Sequence, residues 1–103
     1  MVRYTLVVRS ASGVDNVSFE GINCKSDEYR IFALGQADGS WGGRAGAWRP
    51  IRESRLPQHR SLHRDYFCPQ SVPIADAGEG VRALRQGGHP FRKGFSGDAL
   101  MGR

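Results

Sequence analysis

Residues 17–41 read VSFEGINCKSDEYRIFALGQADGSW, in which two apolar runs are separated by the polar stretch KSDE. Both runs are rich in the β-branched and aromatic residues that strands favour. The first run begins with apolar residues at odd positions but ends with Ile22 and Cys24 at even ones, so we predict a bulge at Gly21. In the second run neither face is polar, which is typical of a central strand covered on both sides.

The sequence on either side of this region adds further strands. The N-terminal residues MVRYTLVVRS alternate apolar and polar side chains, as a half-buried strand does. Asp38 and Gly39 favour a tight turn after the second run. The glycine-rich loop that follows leads into a short strand over 47–51. Because these connections are too short for crossover helices, we predict an antiparallel β-meander of three to four strands.

The second half of the chain has the pattern of two helices. Pro57 can open the first helix at Gln58, and this helix ends at Cys68 and Pro69. The second helix is predicted over 72–86, with acidic residues early and arginines late, as the helix dipole prefers. Helical spacing predicts that its buried stripe consists of Ile74, Ala77, Val81 and Leu84. Strands followed by two helices define the fold class as α+β.

A chain of 103 residues can form one hydrophobic core and no more. We predict a single α+β domain over 1–88 and a flexible, disordered Gly-rich tail over 89–103. No apolar run approaches the roughly 20 residues that cross a bilayer, which excludes a membrane span. The chain begins directly in a strand, without an export signal, so we expect that upstream segments are missing. A sheet edge left unpaired in this way could join a second copy in a homodimer.

Positive charge is concentrated in one part of the chain. Fifteen basic residues against ten acidic ones give a formal net charge of +5. Guanidinium groups bind phosphates and carboxylates, so a group of arginines is a candidate anion-binding surface. Nucleic acid is a disfavoured partner, because few aromatic residues accompany these arginines and lysine is nearly absent from them. This arginine cluster consists of Arg44, Arg49, Arg52, Arg55, Arg60 and Arg64.

The two cysteines lie at the ends of predicted elements: Cys24 ends a strand and Cys68 ends the first helix. A bridge between them would close a loop of about 45 residues and contribute roughly 4 kcal/mol in the chain-entropy model. It would also indicate an oxidising compartment. From these residues alone, two buried thiols remain an alternative. A redox pair is disfavoured because the chain has no CxxC motif.

No group of residues in the sequence requires one particular reaction. His59 and His63 lie four residues apart on a predicted helix, where they share a face. With Asp65 and Cys68 they make up the residue types of a zinc site, but the HExxH glutamate is missing. There is no GxSxG elbow, and the glycine-rich stretch 35–46 lacks both GxGxxG spacing and a phosphate-loop lysine. We therefore predict no catalytic residues, no metal site and no cofactor.

Five stretches of the sequence together resemble one known family. They are NVSFEGINC, YRIFALGQADGSW, AWRPI, LHRDYFCP and VRALRQGG. This pattern, which covers residues 2–88, is similar to the CNP-like (cryptic neisserial protein) family of proteobacteria. The resemblance implies an exported domain in which Cys24 is bridged to Cys68, with no known enzymatic activity. It does not extend to the tail.

On this basis we expect a non-enzymatic exported domain, periplasmic or in the cell envelope, that acts as a binding or structural module. The alternative is a basic domain that binds nucleic acid or another polyanion through the arginine cluster. A homodimer through the unpaired sheet edge is compatible with either function.

Overall fold

A computed structural model describes residues 1–92 of the chain. Strands precede helices, which confirms the α+β class. The strands are β1 (Val2–Arg9), β2 (Asp15–Asn23), β3 (Glu28–Gly35), β4 (Trp41–Gly42) and β5 (Arg49–Pro50). The helices are α1 (Pro57–Ser61), which continues as a π-helix over Leu62–Phe67, and α2 (Ala77–Arg85). Two 3-10 turns lie at Ile51–Glu53 and Pro69–Ser71.

The strands form one antiparallel sheet in the order β1-β2-β3, and the short strands β4 and β5 pair with opposite ends of β3. The predicted meander is therefore confirmed, with β3 at its centre. The bulge lies elsewhere than predicted, because the β1–β2 register runs uninterrupted through Gly21. The β2–β3 register instead shifts between Phe19 and Glu20, which leaves Phe32 as the extra residue.

The outer edge of β1 has no strand partner within residues 1–92. This is the kind of edge at which another chain can add a strand. Arg3 and Arg9 lie on this strand, and charged residues are one of the devices that discourage such pairing. Pairing with a second copy stays a prediction.

The helices cover one face of the sheet, and the core lies between them. The ring of Tyr4 on β1 packs against Phe67 of the π-helix, with centroids 5.2 Å apart. The buried members of the core cluster are Ile22, Cys24, Ile51, Phe67 and Cys68. Two of these five residues are cysteines, so the fully buried part of the core is small; the partly buried side chains that pack around it are Val2, Tyr4, Tyr29, Leu62, Tyr66 and Ile74.

The opposite face of the sheet carries aromatic rings. Phe32 lies over Gly21, where an added Cβ atom would come within 2.8 Å of the ring. Trp48 meets the same ring edge-on at 6.2 Å between centroids, and the guanidinium groups of Arg3 and Arg30 lie 5.5 and 5.2 Å from its centre. β3 is thus covered on both sides, as predicted, but no residue of it is fully buried.

Helix α2 begins later than predicted, at Ala77 rather than at residue 72. Asp76 is its N-cap, and its carboxylate accepts a hydrogen bond from the backbone N–H of Glu79 at 2.8 Å. The Glu79 carboxylate in turn accepts one from the backbone N–H of Ala75 at 3.0 Å. These two bonds satisfy N–H groups at the first turn and so fix where the helix starts.

The face that α2 buries also differs from the prediction. Gly80 and Ala83 are buried, whereas Val81 and Leu84 are 43% and 49% exposed. A Cβ atom at Gly80 would come within 2.8 Å of the Ile74 side chain. The helix therefore approaches the core closely through its small residues, and this leaves the larger apolar ones toward solvent.

The first helix is confirmed between Pro57 and Phe67, but its second half has an unexpected geometry. The backbone N–H of Cys68 donates to the carbonyl oxygen of His63, five residues earlier, at 2.9 Å. Bonds of this i→i+5 type define a π-helix, which is rare and found often at functional sites.

The folded part extends past the predicted boundary at residue 88. His89 is only 5% exposed, and its backbone N–H donates to the carbonyl oxygen of Asp65 at 2.6 Å. Gln70 donates through its side chain to the carbonyl oxygen of Phe91 at 3.0 Å. Residues 89–92 thus pack against the domain, and the rest of the predicted tail, 93–103, lies outside the described residues.

Candidate binding groove beside the cysteine pair

The two cysteines join the sheet to the helical layer. Cys24 follows β2 and Cys68 follows the π-helix. Their Sγ atoms lie 2.09 Å apart, within bonding distance, and their Cα atoms are separated by 5.4 Å. Both side chains are buried in the core cluster. The pair therefore fixes the end of a strand to the end of a helix.

A groove of about 420 Å³ opens on the surface next to Cys68. This volume falls within the range of small-molecule sites, roughly 300–1,000 Å³. Its walls come from the β2–β3 turn, the 3-10 turn at Ile51–Glu53, α1 with its π-helical continuation, and the 3-10 turn at Pro69–Ser71. We call it the arginine groove; it is lined by Asp27, Ile51, Arg52, Arg60, His63, Arg64, Cys68, Gln70 and Ser71.

All six side chains of the arginine cluster are exposed, but only three of them line the arginine groove. The guanidinium group of Arg60 donates to the carbonyl oxygen of Arg52 at 2.9 Å, which brings two separate elements together. Arg64 donates two hydrogen bonds to Asp65, at 2.9 and 3.1 Å, and this pairing offsets part of its charge. The arginines that line the groove are Arg52, Arg60 and Arg64, whereas Arg44, Arg49 and Arg55 lie outside its lining.

One carboxylate also lines the groove. Asp27 Oδ1 lies 2.8 Å from His63 Nε2, so this pair links the β2–β3 turn to the π-helix. The Asp27 side chain is 63% exposed and that of His63 is 17% exposed. Three guanidinium groups against one carboxylate leave the lining positively charged.

The backbone around the groove is unusual. Three non-glycine residues within 1–92 have a left-handed backbone: Asp27 at φ 56°, Gln70 at φ 52° and Ser71 at φ 66°. All three line the arginine groove. Such conformations cost on the order of 1–3 kcal/mol each and cluster at functional sites. Aspartate adopts them more readily than glutamine, so the consecutive pair Gln70–Ser71 is the stronger indication.

Sequence reasoning missed Asp27, Gln70 and Ser71 as groove residues. Asp27 lies in the polar KSDE turn, which is a signal for a turn but not for a site. Nothing in the local sequence indicates that Gln70 and Ser71 adopt positive φ angles, because that conformation follows from the path of the chain after Cys68.

A second polar cluster lies inside the domain, beneath α1. Glu20 accepts hydrogen bonds from the hydroxyl groups of Tyr4 at 2.9 Å and Ser18 at 2.6 Å. His59 Nε2 lies 2.7 Å from the same carboxylate, and both members of this pair are 1% exposed. Burial alone would raise the pKa of Glu20, but its bonds to His59, Ser18 and Tyr4 together lower it. Burial, assisted by the Glu20 charge, raises the pKa of Tyr4.

This cluster has the connectivity of a hydrolytic triad. Ser54 bonds to Nδ1 of His59, whose Nε2 bonds to Glu20. The His59 ring is buried and stacks on Tyr29, with centroids 4.2 Å apart. The Ser54 hydroxyl accepts a hydrogen bond from the backbone N–H of Leu56 at 3.1 Å. None of the triad-like residues lines the arginine groove. We therefore interpret this cluster as the anchor that holds α1 to the sheet.

The two histidines, four residues apart, have different partners and do not form a shared site. His59 faces Glu20 in the core, whereas His63 faces Asp27 at the groove. Within residues 1–92, no three His, Cys, Asp or Glu side chains converge as metal ligands would.

A family model described as the CNP1-like family matches residues 1–85. The chain belongs to the CNP1-like family. The match spans all five strands, both helices and every residue that lines the arginine groove, and it confirms the resemblance noted in the sequence. No curated protein and no solved structure matches the chain.

The helices of this CNP1-like domain are short. Neither of those within residues 1–92 combines the length and the apolar character needed to cross a bilayer.

Acid should destabilise the CNP1-like domain through Glu20 and Glu79. The folded state lowers the pKa of both, and for Glu79 the causes are hydrogen bonds from the Ala75 backbone and the His89 ring. A carboxyl group with a lowered pKa stabilises the fold above its unfolded pKa, about 4.3, and loses that contribution as the pH falls through its folded value. The free energy of unfolding in urea should therefore decrease below about pH 4.3.

The variant E79Q provides the control for this prediction. It cannot ionise at residue 79, so its free energy of unfolding should depend less steeply on acid pH than that of the parent chain. A parent chain with equal stability at pH 6 and pH 3 would contradict the prediction.

Proposed function

We propose that this protein is a non-enzymatic domain exported to the periplasm or cell envelope, where it acts as a binding module. The observation that carries the proposal is the Cys24–Cys68 pair, whose sulfur atoms lie within bonding distance inside the core cluster. Disulfides persist in oxidising compartments and are rare in the cytosol. A domain with so few other buried apolar residues would depend strongly on that bond.

The role of a binding module is supported by the arginine groove. It is concave, charged and bounded by strained backbone, which are features of ligand sites. The triad-like residues support a role without catalysis, because Ser54 is engaged in a turn and His59 is buried. These side chains hold the fold and do not present a nucleophile to the groove.

The state of the cysteines in the native host tests the compartment. Protein isolated after rapid alkylation of the cells, then denatured, should contain no reactive thiol. The same sample, reduced before alkylation, should show both cysteines and serves as the control. Two alkylated thiols in the unreduced sample would overturn the proposed export.

The second candidate function is binding of nucleic acid or another polyanion, and the exposure of all six clustered arginines favours it. Neutralising phosphates releases counterions, so affinity for duplex DNA should then fall steeply with salt. A gel-shift series from low to moderate salt that shows no complex at any concentration would dismiss this candidate.

A further inference from the structure

We propose that the arginine groove binds a small organic phosphate, a molecule in which a phosphate monoester is joined to a compact apolar body. The inference rests on the binding role in the proposed function but not on the compartment assigned there. It is carried by the arginines, the apolar residues and the strained turn that meet at one place.

The charge of the groove matches a phosphate monoester. Arg52 and Arg60 come from different elements and are held together by the bond from the Arg60 guanidinium to the Arg52 carbonyl oxygen. Arg64 shares its charge with Asp65, so Arg52 and Arg60 are the principal ligands we assign. Two guanidinium forks can satisfy the oxygen atoms and the double charge of a phosphate monoester. Asp27, the one carboxylate in the lining, is engaged by His63.

The groove also has an apolar part. Ile51 and Cys68 line it, and both belong to the core cluster. A bare phosphate ion would leave most of the roughly 420 Å³ unfilled. Ligand sites generally combine an apolar lining with a few polar groups that orient the ligand. The groove therefore fits a ligand with an apolar body as well as a phosphate.

One wall of the groove is tied to the rest of the fold. Gln70 and Ser71 hold consecutive left-handed conformations directly after the buried Cys68. The Gln70 side chain is further tied to the carbonyl oxygen of Phe91. A site that is already ordered loses less entropy when it binds, which favours affinity for small ligands.

Calorimetric titration of the oxidised full chain tests the ligand class with three probes. Phenyl phosphate and benzoate share a ring but differ in the charged group, and inorganic phosphate lacks the ring. Phenyl phosphate should bind about tenfold or more tightly than either of the others, because it alone joins a ring to a doubly charged phosphate: benzoate has one charge, and inorganic phosphate has no apolar body. Equal affinity for phenyl phosphate and benzoate would overturn the assignment to phosphates.

Two matched double variants locate the site. R52A/R60A removes the assigned ligands, whereas R44A/R55A removes the same charge from exposed residues of the same arginine cluster outside the groove. The first should weaken phenyl phosphate binding about tenfold or more, as expected for lost charge-assisted hydrogen bonds. The second should change it less than about threefold. Equal weakening in both would overturn the site, and unchanged unfolding midpoints would show that both variants fold.

A binding experiment with lipid vesicles distinguishes a soluble phosphate ligand from a lipid headgroup that carries the same phosphate group. The chain should bind soluble phenyl phosphate, and phenyl phosphate should displace it from any vesicles that contain phosphatidic acid. Binding to those vesicles with no affinity for phenyl phosphate would overturn the small-molecule assignment. Free thiols in the native host would overturn the export proposal alone. A fully oxidised chain that does not bind phenyl phosphate would overturn only this inference.

Discussion

The double variant C24A/C68A is expected to unfold with a free energy about 4 kcal/mol lower than that of the oxidised parent chain. The bond closes a loop with a sequence separation of 44, and its loss returns that conformational freedom to the unfolded state. For a domain of this size the thermal midpoint should fall by about 15–30 °C. Alanine is chosen because both positions are buried, where the polar hydroxyl of serine would add a desolvation cost of its own.

Reductant supplies the control for the cysteine variant. It should lower the thermal midpoint of the parent chain by a similar amount and leave that of C24A/C68A unchanged. A loss of less than about 1 kcal/mol in the double variant would contradict the prediction. In that case the remaining members of the core cluster would hold the sheet and helices together without the bond.

The variant H59A is expected to lose about 3 kcal/mol or more of its free energy of unfolding. Its imidazole is 1% exposed and bonds to the equally buried Glu20 carboxylate at 2.7 Å. Removing it leaves that carboxylate with fewer partners and opens a cavity beside Tyr29, on which the ring stacks. Urea unfolding at neutral pH measures the loss.

The chain offers a matched control one helical turn away. His63 also pairs with a carboxylate, at 2.8 Å, but its partner Asp27 is 63% exposed. H63A should therefore cost less than about 1 kcal/mol. H59F keeps a ring against Tyr29 but not the bonds to Glu20, so its loss should lie close to that of H59A. If H59A and H63A lost equal free energy of unfolding, the prediction would be contradicted, because the contribution of each histidine–carboxylate pair would then not depend on its burial.

Local signals in the sequence were sufficient to predict the sheet. The alternation over residues 2–9, the Asp38–Gly39 turn and the helix opening at Pro57 all depend on neighbouring residues alone. Features that depend on distant partners were misplaced. The bulge involves Phe32 because register is set between β2 and β3, and α2 buries Gly80 because the helix approaches Ile74 closely.

The candidate site was harder to predict than the fold. Sequence spacing could not show that only some of the clustered arginines meet, because Arg52 and Arg60 are brought together by the packing of the 3-10 turn at Ile51–Glu53 against α1. The burial of Glu20 could have been predicted from the sequence. Glu20 lies two residues before Ile22 on the same strand, so both side chains point to the same face of the sheet, which is the core face. The burial of His89 could not, because its partner Glu79 is reached only after the chain reverses at Gly87 and Gly88.

The link between Cys24 and Cys68 also determines how the chain would respond to tension. When its two ends are pulled apart, the load passes from the end of β2 through the sulfur atoms to the residues after the π-helix. The intervening segment, with a separation of 44 residues, bears none of it, so about 150 Å of contour length stays hidden. Stretching would therefore extend only the residues outside the link while it is intact, and the hidden length would be released only once the link is cut.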